Sequence, residues 1–156
     1  MSIALESRVY NSIDVAKYLL ALANKKKTIL NVTKVQKLLF IAYGYFLAKS
    51  GIKIVDENPR AWPFGPVFPK TQKMVDYENI YDLNDPVFYE LKQDQFITET
   101  LNTIIDNYSK FTASQLSDWS HTAGSPWERT TKEPGFNWND EIKDIYIKEY
   151  FNDITL

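Results

Sequence analysis

Apolar residues recur along this chain mostly at helical intervals. Val15, Tyr18, Leu19 and Leu22 share one face, which predicts a helix capped by Ser12 and running to about Lys25. Lys25, Lys26 and Lys27 close it, where cations suit the negative end of the helix dipole. A short loop at 28–32 follows. Thr33 and Gln36 then have the spacing of a capping box, and Gly51 is placed to end the second helix in a left-handed conformation. Between them, Val35, Leu38, Leu39, Ala42 and Phe46 form one apolar stripe, with Phe40, Tyr43 and Leu47 beside it. Only Lys34, Lys37 and Lys49 clearly want water, so this helix is expected to be wrapped on most sides. Gly44 in its middle predicts a close approach of another helix.

The pattern changes at Ile52. Pro59, Pro63, Pro66 and Pro69 forbid a continuous helix. Residues 52–55 and 60–62 are candidate short strands, and 63–69 form a rigid elbow with Gly65 at the reversal. Pro69 is expected to open a short helix to about Tyr77. Residues 78–93 carry little pattern beyond a turn at Asp85-Pro86. Helical spacing returns from Asp94 to about Ser109. Thr112 to Gln115 gives a second capping box leading towards His121, and Ser125 to Glu128 a third with Pro126 at the first helical position. A last helix is expected from about Asp140, carrying Ile142, Tyr146, Ile147, Tyr150 and Ile154. The expected fold is mainly α: a compact single-domain bundle of about six helices, with a short β-hairpin or extended proline-rich elbow near residues 52–69.

Composition narrows this little. The 156 residues fit one domain, and 44% hydrophobic with 24% charged residues excludes a disordered chain. No apolar run is long enough for a bilayer. The start, MSIALESRVYNSIDVAK, lacks the apolar core of a signal peptide, so a cytoplasmic location is expected. Cysteine is absent, which removes disulfides and thiol chemistry. Charge adds more. Residues 1–53 hold nine basic and two acidic side chains, +7, and the remainder carries −9, giving the net −2. That split makes Lys25, Lys26, Lys27, Lys34 and Lys37 candidates for nucleic-acid contact in a regulatory protein. The absence of arginine clusters weighs against it, and the alternatives are that the two parts face each other or that each is simply a solvated face.

Candidate chemistry is sparse. One histidine and no cysteine leave no metal-ligand cluster, and five scattered glycines form no phosphate loop, so no metal or cofactor is expected. Asp118, Ser120 and His121 lie close in sequence, but neighbours on a helix point about 100° apart, so Ser120 and His121 are badly placed to share a proton. Asp118 and His121 can brace each other locally, and no G-x-S-x-G elbow is present. Asp56-Glu57 and Asp140-Glu141 read as solvated or helix-start charges. These observations point away from an enzyme. By contrast, residues 62–69 concentrate Trp62, Phe64 and Phe68 on backbone that proline has stiffened. Such a segment either presents a binding hot spot at low entropic cost or plugs the core of its own domain.

Residues 36–48 (QKLLFIAYGYFLA), 61–69 (AWPFGPVFP), 116–121 and 125–127 resemble the Panacea domain family in order and spacing. That family is also called SocA-like or GepA-like and is associated with phages. The resemblance spans about residues 12–152, and the Trp-Pro-Phe-Gly-Pro-Val-Phe-Pro block is its specific part. Arg60 departs from the acidic residue expected before Ala-Trp in many members. The resemblance implies an antitoxin that neutralises a toxin encoded nearby by direct binding, in some members by delivering it to a cellular protease. On that reading the expected contacts are Trp62, Phe64, Gly65, Pro66 and Pro69, with His121 and Trp127 as a second patch. A homodimer is a further expectation, from the many rings on a small domain.

Overall fold

A computed structural model describes residues 9–154. It contains α1 (Ser12–Lys25), α2 (Val32–Ser50), β1 (Arg60–Trp62), β2 (Gly65–Val67), α3 (Pro69–Met74), a 3-10 turn (Pro86–Phe88), α4 (Tyr89–Gln93), α5 (Gln95–Tyr108), α6 (Ala113–Ser120), α7 (Pro126–Thr131) and α8 (Asp144–Phe151). The fold is therefore mainly α with a two-stranded antiparallel hairpin, as the sequence indicates. Eight helices appear among the described residues, against about six expected; α4 lies in the stretch 78–93, where the sequence carries little pattern. The reading of the first residues as lacking a signal peptide falls mostly on 1–8, outside the described residues.

The centre is α2. Val35, Leu38, Leu39, Phe40, Ala42, Tyr43 and Phe46 are all buried, and one continuous core extends from Tyr10 to Phe151 around them. Gly44 lies against the ring of Phe151 on α8, and a Cβ at that position would overlap the ring. The predicted close approach is therefore real. Phe151 also meets Phe40 edge-on, with ring centroids 5.6 Å apart. At the other end, Gly51 stops α2 at φ 71°, with its N–H donating to Leu47 O.

Several boundaries differ from those expected. Asn11, not Ser12, caps α1, its side chain accepting from Ile13 N; Ser12 is buried and donates to Glu57. Asn31, not Thr33, caps α2 by accepting from Lys34 N. The Thr33–Gln36 box does not form, because Gln36 is used elsewhere (below). Residues 52–55 make only a single parallel bridge, Val55 with Tyr10. The α3 helix ends at Met74, where Val75 turns extended, short of Tyr77. The last helix starts at Asp144 because 139–142 is held beside β1: Ala61 N donates to Asp140 O, Asn139 N to Ala61 O, and Ile142 N to Pro59 O. The Thr112–Gln115 box is complete in both directions. In the third box Ser125 accepts from Glu128 N, but Glu128 reaches Gly124 N instead of returning to Ser125.

Asp56 and Glu57 bind together the start of two helices. Asp56 accepts from Ser12 N at 2.9 Å and pairs with Lys70, while Glu57 accepts from Ser12 Oγ, Lys70 N and the hydroxyl of Thr71. Burial works against the Asp56 charge, but Lys70 and the Ser12 N–H outweigh it and hold the pKa below the ordinary carboxylate value. These two carboxylates are structural ties rather than solvated charges.

Candidate functional site

The proline-rich elbow is the β-hairpin. Arg60 pairs with Val67, Ala61 with Pro66 and Trp62 with Gly65, so Pro63 and Phe64 form the tip. Gly65 follows at φ 116°, a conformation that side-chain-bearing residues rarely adopt. Proline lacks the N–H that would complete a ladder, so a hairpin with this sequence leaves carbonyl oxygens needing donors. Side chains from three helices supply them. Trp127 Nε1 of α7 donates to Trp62 O at 2.7 Å. Ser117 Oγ of α6 donates to Phe64 O at 3.1 Å, and His121 Nε2, just past α6, lies 3.1 Å from Pro63 O. From α2, Lys37 Nζ donates to Pro66 O at 3.1 Å. Gln36 pairs with both backbone groups of Phe68, accepting from its N at 2.7 Å and donating to its O at 3.3 Å. The indole N–H of Trp62 is held by Asn139 Oδ1 at 2.9 Å.

This fastening fixes an aromatic face. Phe64 is 78% exposed and Trp138 53% exposed, while Trp62, Trp127, His121 and Phe136 are half-buried. The imidazole of His121 packs edge-on to Trp127 with centroids 4.1 Å apart; Trp127 lies 6.2 Å from Trp138, and Trp138 5.0 Å from Phe136. Trp62, Phe64, His121 and Trp127 are thus brought to one region. Gly65 and Pro66 are buried behind it, where they shape the hairpin and offer no contact surface. Pro69 opens α3 next to the Glu57 tie. Trp138 and Phe136 were missed from sequence. They lie in an irregular segment with no periodicity, and only the tertiary path of 136–142 back to β1 places them here.

The geometry does not assemble a nucleophile. Ser120 is buried and its hydroxyl donates to Ser117 O at 2.7 Å, with His121 Nδ1 at a long 3.4 Å. His121 Nδ1 faces Ser117 O at 2.6 Å and Nε2 faces Pro63 O, so both ring nitrogens are directed at carbonyls. A neutral ring can donate to one of them, a doubly protonated ring to both. Among the described residues no group of three metal-ligating side chains occurs, and no helix is long and apolar enough to cross a membrane.

The basic candidates are placed differently from one another. Lys37 is 3% exposed. Lys34 donates to Ser109 O and Lys26 pairs with Asp106 of α5. Lys25 and Lys27 are exposed at the end of α1. Lys53 likewise meets Asp144 at 3.0 Å. These contacts bring the basic first third against the acidic remainder.

The hairpin, α6 and all but the first three residues of α2 fall within residues 35–128, which match the model of the family described as Antitoxin SocA-like, Panacea domain. The chain belongs to this family. Antitoxin SocA of Caulobacter vibrioides (strain NA1000 / CB15N) is 30% identical over 129 residues, covering 74% of this chain and 69% of that protein. No solved structure matches the chain. Gln36, Lys37, Ser117, His121 and Trp127, which fasten the hairpin, all lie inside the Panacea-domain match, whereas the rings of Phe136 and Trp138 lie beyond it.

Proposed function

We propose that this Panacea-domain protein is an antitoxin that neutralises a partner toxin by direct protein–protein binding, through the aromatic face of the hairpin. Family membership supports the class of activity. The observation that carries the site is the exposed Phe64 at the tip of a hairpin whose carbonyls are held by Trp127, Ser117, His121 and Lys37. A rigid aromatic projection loses little entropy on docking, which is what an interface anchor needs. Catalysis has no part in this reading. The toxin gene is expected beside this one, in a phage or prophage context, and delivery of the bound toxin to a cellular protease is compatible with the same docking.

Co-expression with the product of the adjacent gene tests the proposal. The expected result is rescue of growth and co-purification of the two proteins. Phe64→Ala and Trp138→Ala are expected to weaken the complex by about 2 kcal/mol each, roughly 30-fold, with no loss of thermal stability. Undiminished binding by both variants moves the interface elsewhere on the molecule. If no adjacent product is toxic or bound, the antitoxin reading is wrong for this chain. A shortened toxin half-life on co-expression would mark the protease route.

A further inference from the structure

One charge beneath the hairpin is only partly answered. Lys37 projects from α2 under the tip and is buried, yet an ammonium has three N–H donors and this one makes a single hydrogen bond, to Pro66 O. Among the described residues no carboxylate pairs with it. Glycine at 65 makes room for the amine: a Cβ there would lie 3.0 Å from Lys37 Nζ and 2.7 Å from Ser120 Oγ. Burial lowers the pKa from 10.5 to about 8, so at pH 7 most molecules still carry the charge.

Lys37 borders a cleft of about 90 Å³ together with Thr33, Gln36, Trp62, Phe64 and Gln72. That volume corresponds to about three waters, enough for a carboxylate group. No acidic side chain lines the cleft, and its other walls are apolar, amide or hydroxyl groups. Trp62 and Phe64 belong to both the cleft and the aromatic face, so a group entering here comes from whatever covers that face. A desolvated cation with spare donors is stabilised most by one anion that brings acceptor oxygens and excludes water.

We propose that this cleft is a pocket for a single carboxylate, supplied by an aspartate or glutamate side chain of the protein that docks on the aromatic face. The source of the carboxylate rests on the antitoxin reading; the pocket itself does not. In the complex the acid accepts from Lys37 Nζ, and the rings of Trp62 and Phe64 close over the pair.

Two arms separate these parts. In the first, sodium acetate is titrated at pH 7 into the free protein against matched sodium chloride, and the Gly65 amide and Lys37 side-chain NMR signals are followed. Saturable shifts are expected. They should vanish in Lys37→Met and weaken at least about fivefold in Gln72→Glu, which carries its own carboxylate on the cleft wall. Shifts that never saturate, or that persist in Lys37→Met, overturn the pocket. The Gln72→Glu result decides the matter if Lys37→Met does not fold. In the second arm, the affinity of Lys37→Met for the adjacent-gene product is measured. A loss of about 30-fold or more is expected on deleting one member of a buried charge pair. An unchanged affinity overturns the assignment to the partner's acid. If that product fails to bind the unaltered protein, the antitoxin reading and the named source fall together, while the acetate arm still decides the pocket.

Discussion

The stability of this protein should carry the signature of Lys37. Its folded pKa, about 8, is below the ordinary value of 10.5, so between those values the unfolded chain binds more protons than the folded one. Stability therefore rises with pH across that window, as the cost of burying the charge disappears. The rise from pH 8 to 10 is expected to be about 2 kcal/mol. Tyr43 and Tyr77 limit it from above. Burial raises both phenols, with hydrogen bonding to Asp144 adding for Tyr43, so their unfolded forms ionise first and reverse the trend beyond about pH 10. Chemical denaturation from pH 7 to 10 should show the rise in the native protein and a flat profile in Lys37→Met. A rise of equal size in the variant would assign it to other groups.

At the scale of elements, each boundary is decided by which donor finds which acceptor. Thr33 and Gln36 have the spacing of a capping box, yet Asn31 does the capping, and the Gln36 amide is spent on both backbone groups of Phe68. Asn31→Ala should consequently destabilise the fold by about 1 kcal/mol, whereas Thr33→Ala should change it by less than about 0.5 kcal/mol. Equal losses in thermal or urea melts would return Thr33 to the capping role. The hairpin follows the same logic. Pro63, Pro66 and Pro69 gave a rigid elbow from sequence alone, because fixed φ and missing N–H groups are local properties. The donors that answer its carbonyls come from positions up to 65 residues away, as with Trp127 and Trp62, and no local pattern announces such pairs.

For the whole molecule, the tightest constraint is the crossing of α2 and α8. Phe151 fills the space that a side chain at Gly44 would need. Gly44→Ala should cost about 1–3 kcal/mol through overpacking and lower Tm by several degrees, with Phe151→Leu in the same chain restoring part of the loss. If Gly44→Ala is neutral or stabilising, helix propensity has won and the crossing is loose. The charge split also resolves at this scale. Lys26 meets Asp106 and Lys53 meets Asp144, joining the basic first third to the acidic remainder through exposed pairs that each contribute about 0–1 kcal/mol. They neutralise two of the basic side chains more than they hold the fold together.

Periodicity was sufficient to identify α1, α2 and α5, and local cap and glycine signals marked α6, the stop at Gly51 and the close approach at Gly44, because each depends on residues one or two turns apart. The Trp-Pro-Phe-Gly-Pro block was likewise legible as a stiff aromatic elbow, and its wording carried the family. What tertiary structure alone decided is which side of that elbow faces out. Gly65, Pro66 and Phe68 turn inward against α2 and α6, while Phe64 is left in solvent beside Trp138 from a segment with no periodic signal. It also decided that Lys37, one of three apparently water-seeking residues on α2, ends beneath the hairpin. Burial is a sum over distant neighbours, and a charge read from its own helix gives no measure of what the rest of the chain will lay on top of it.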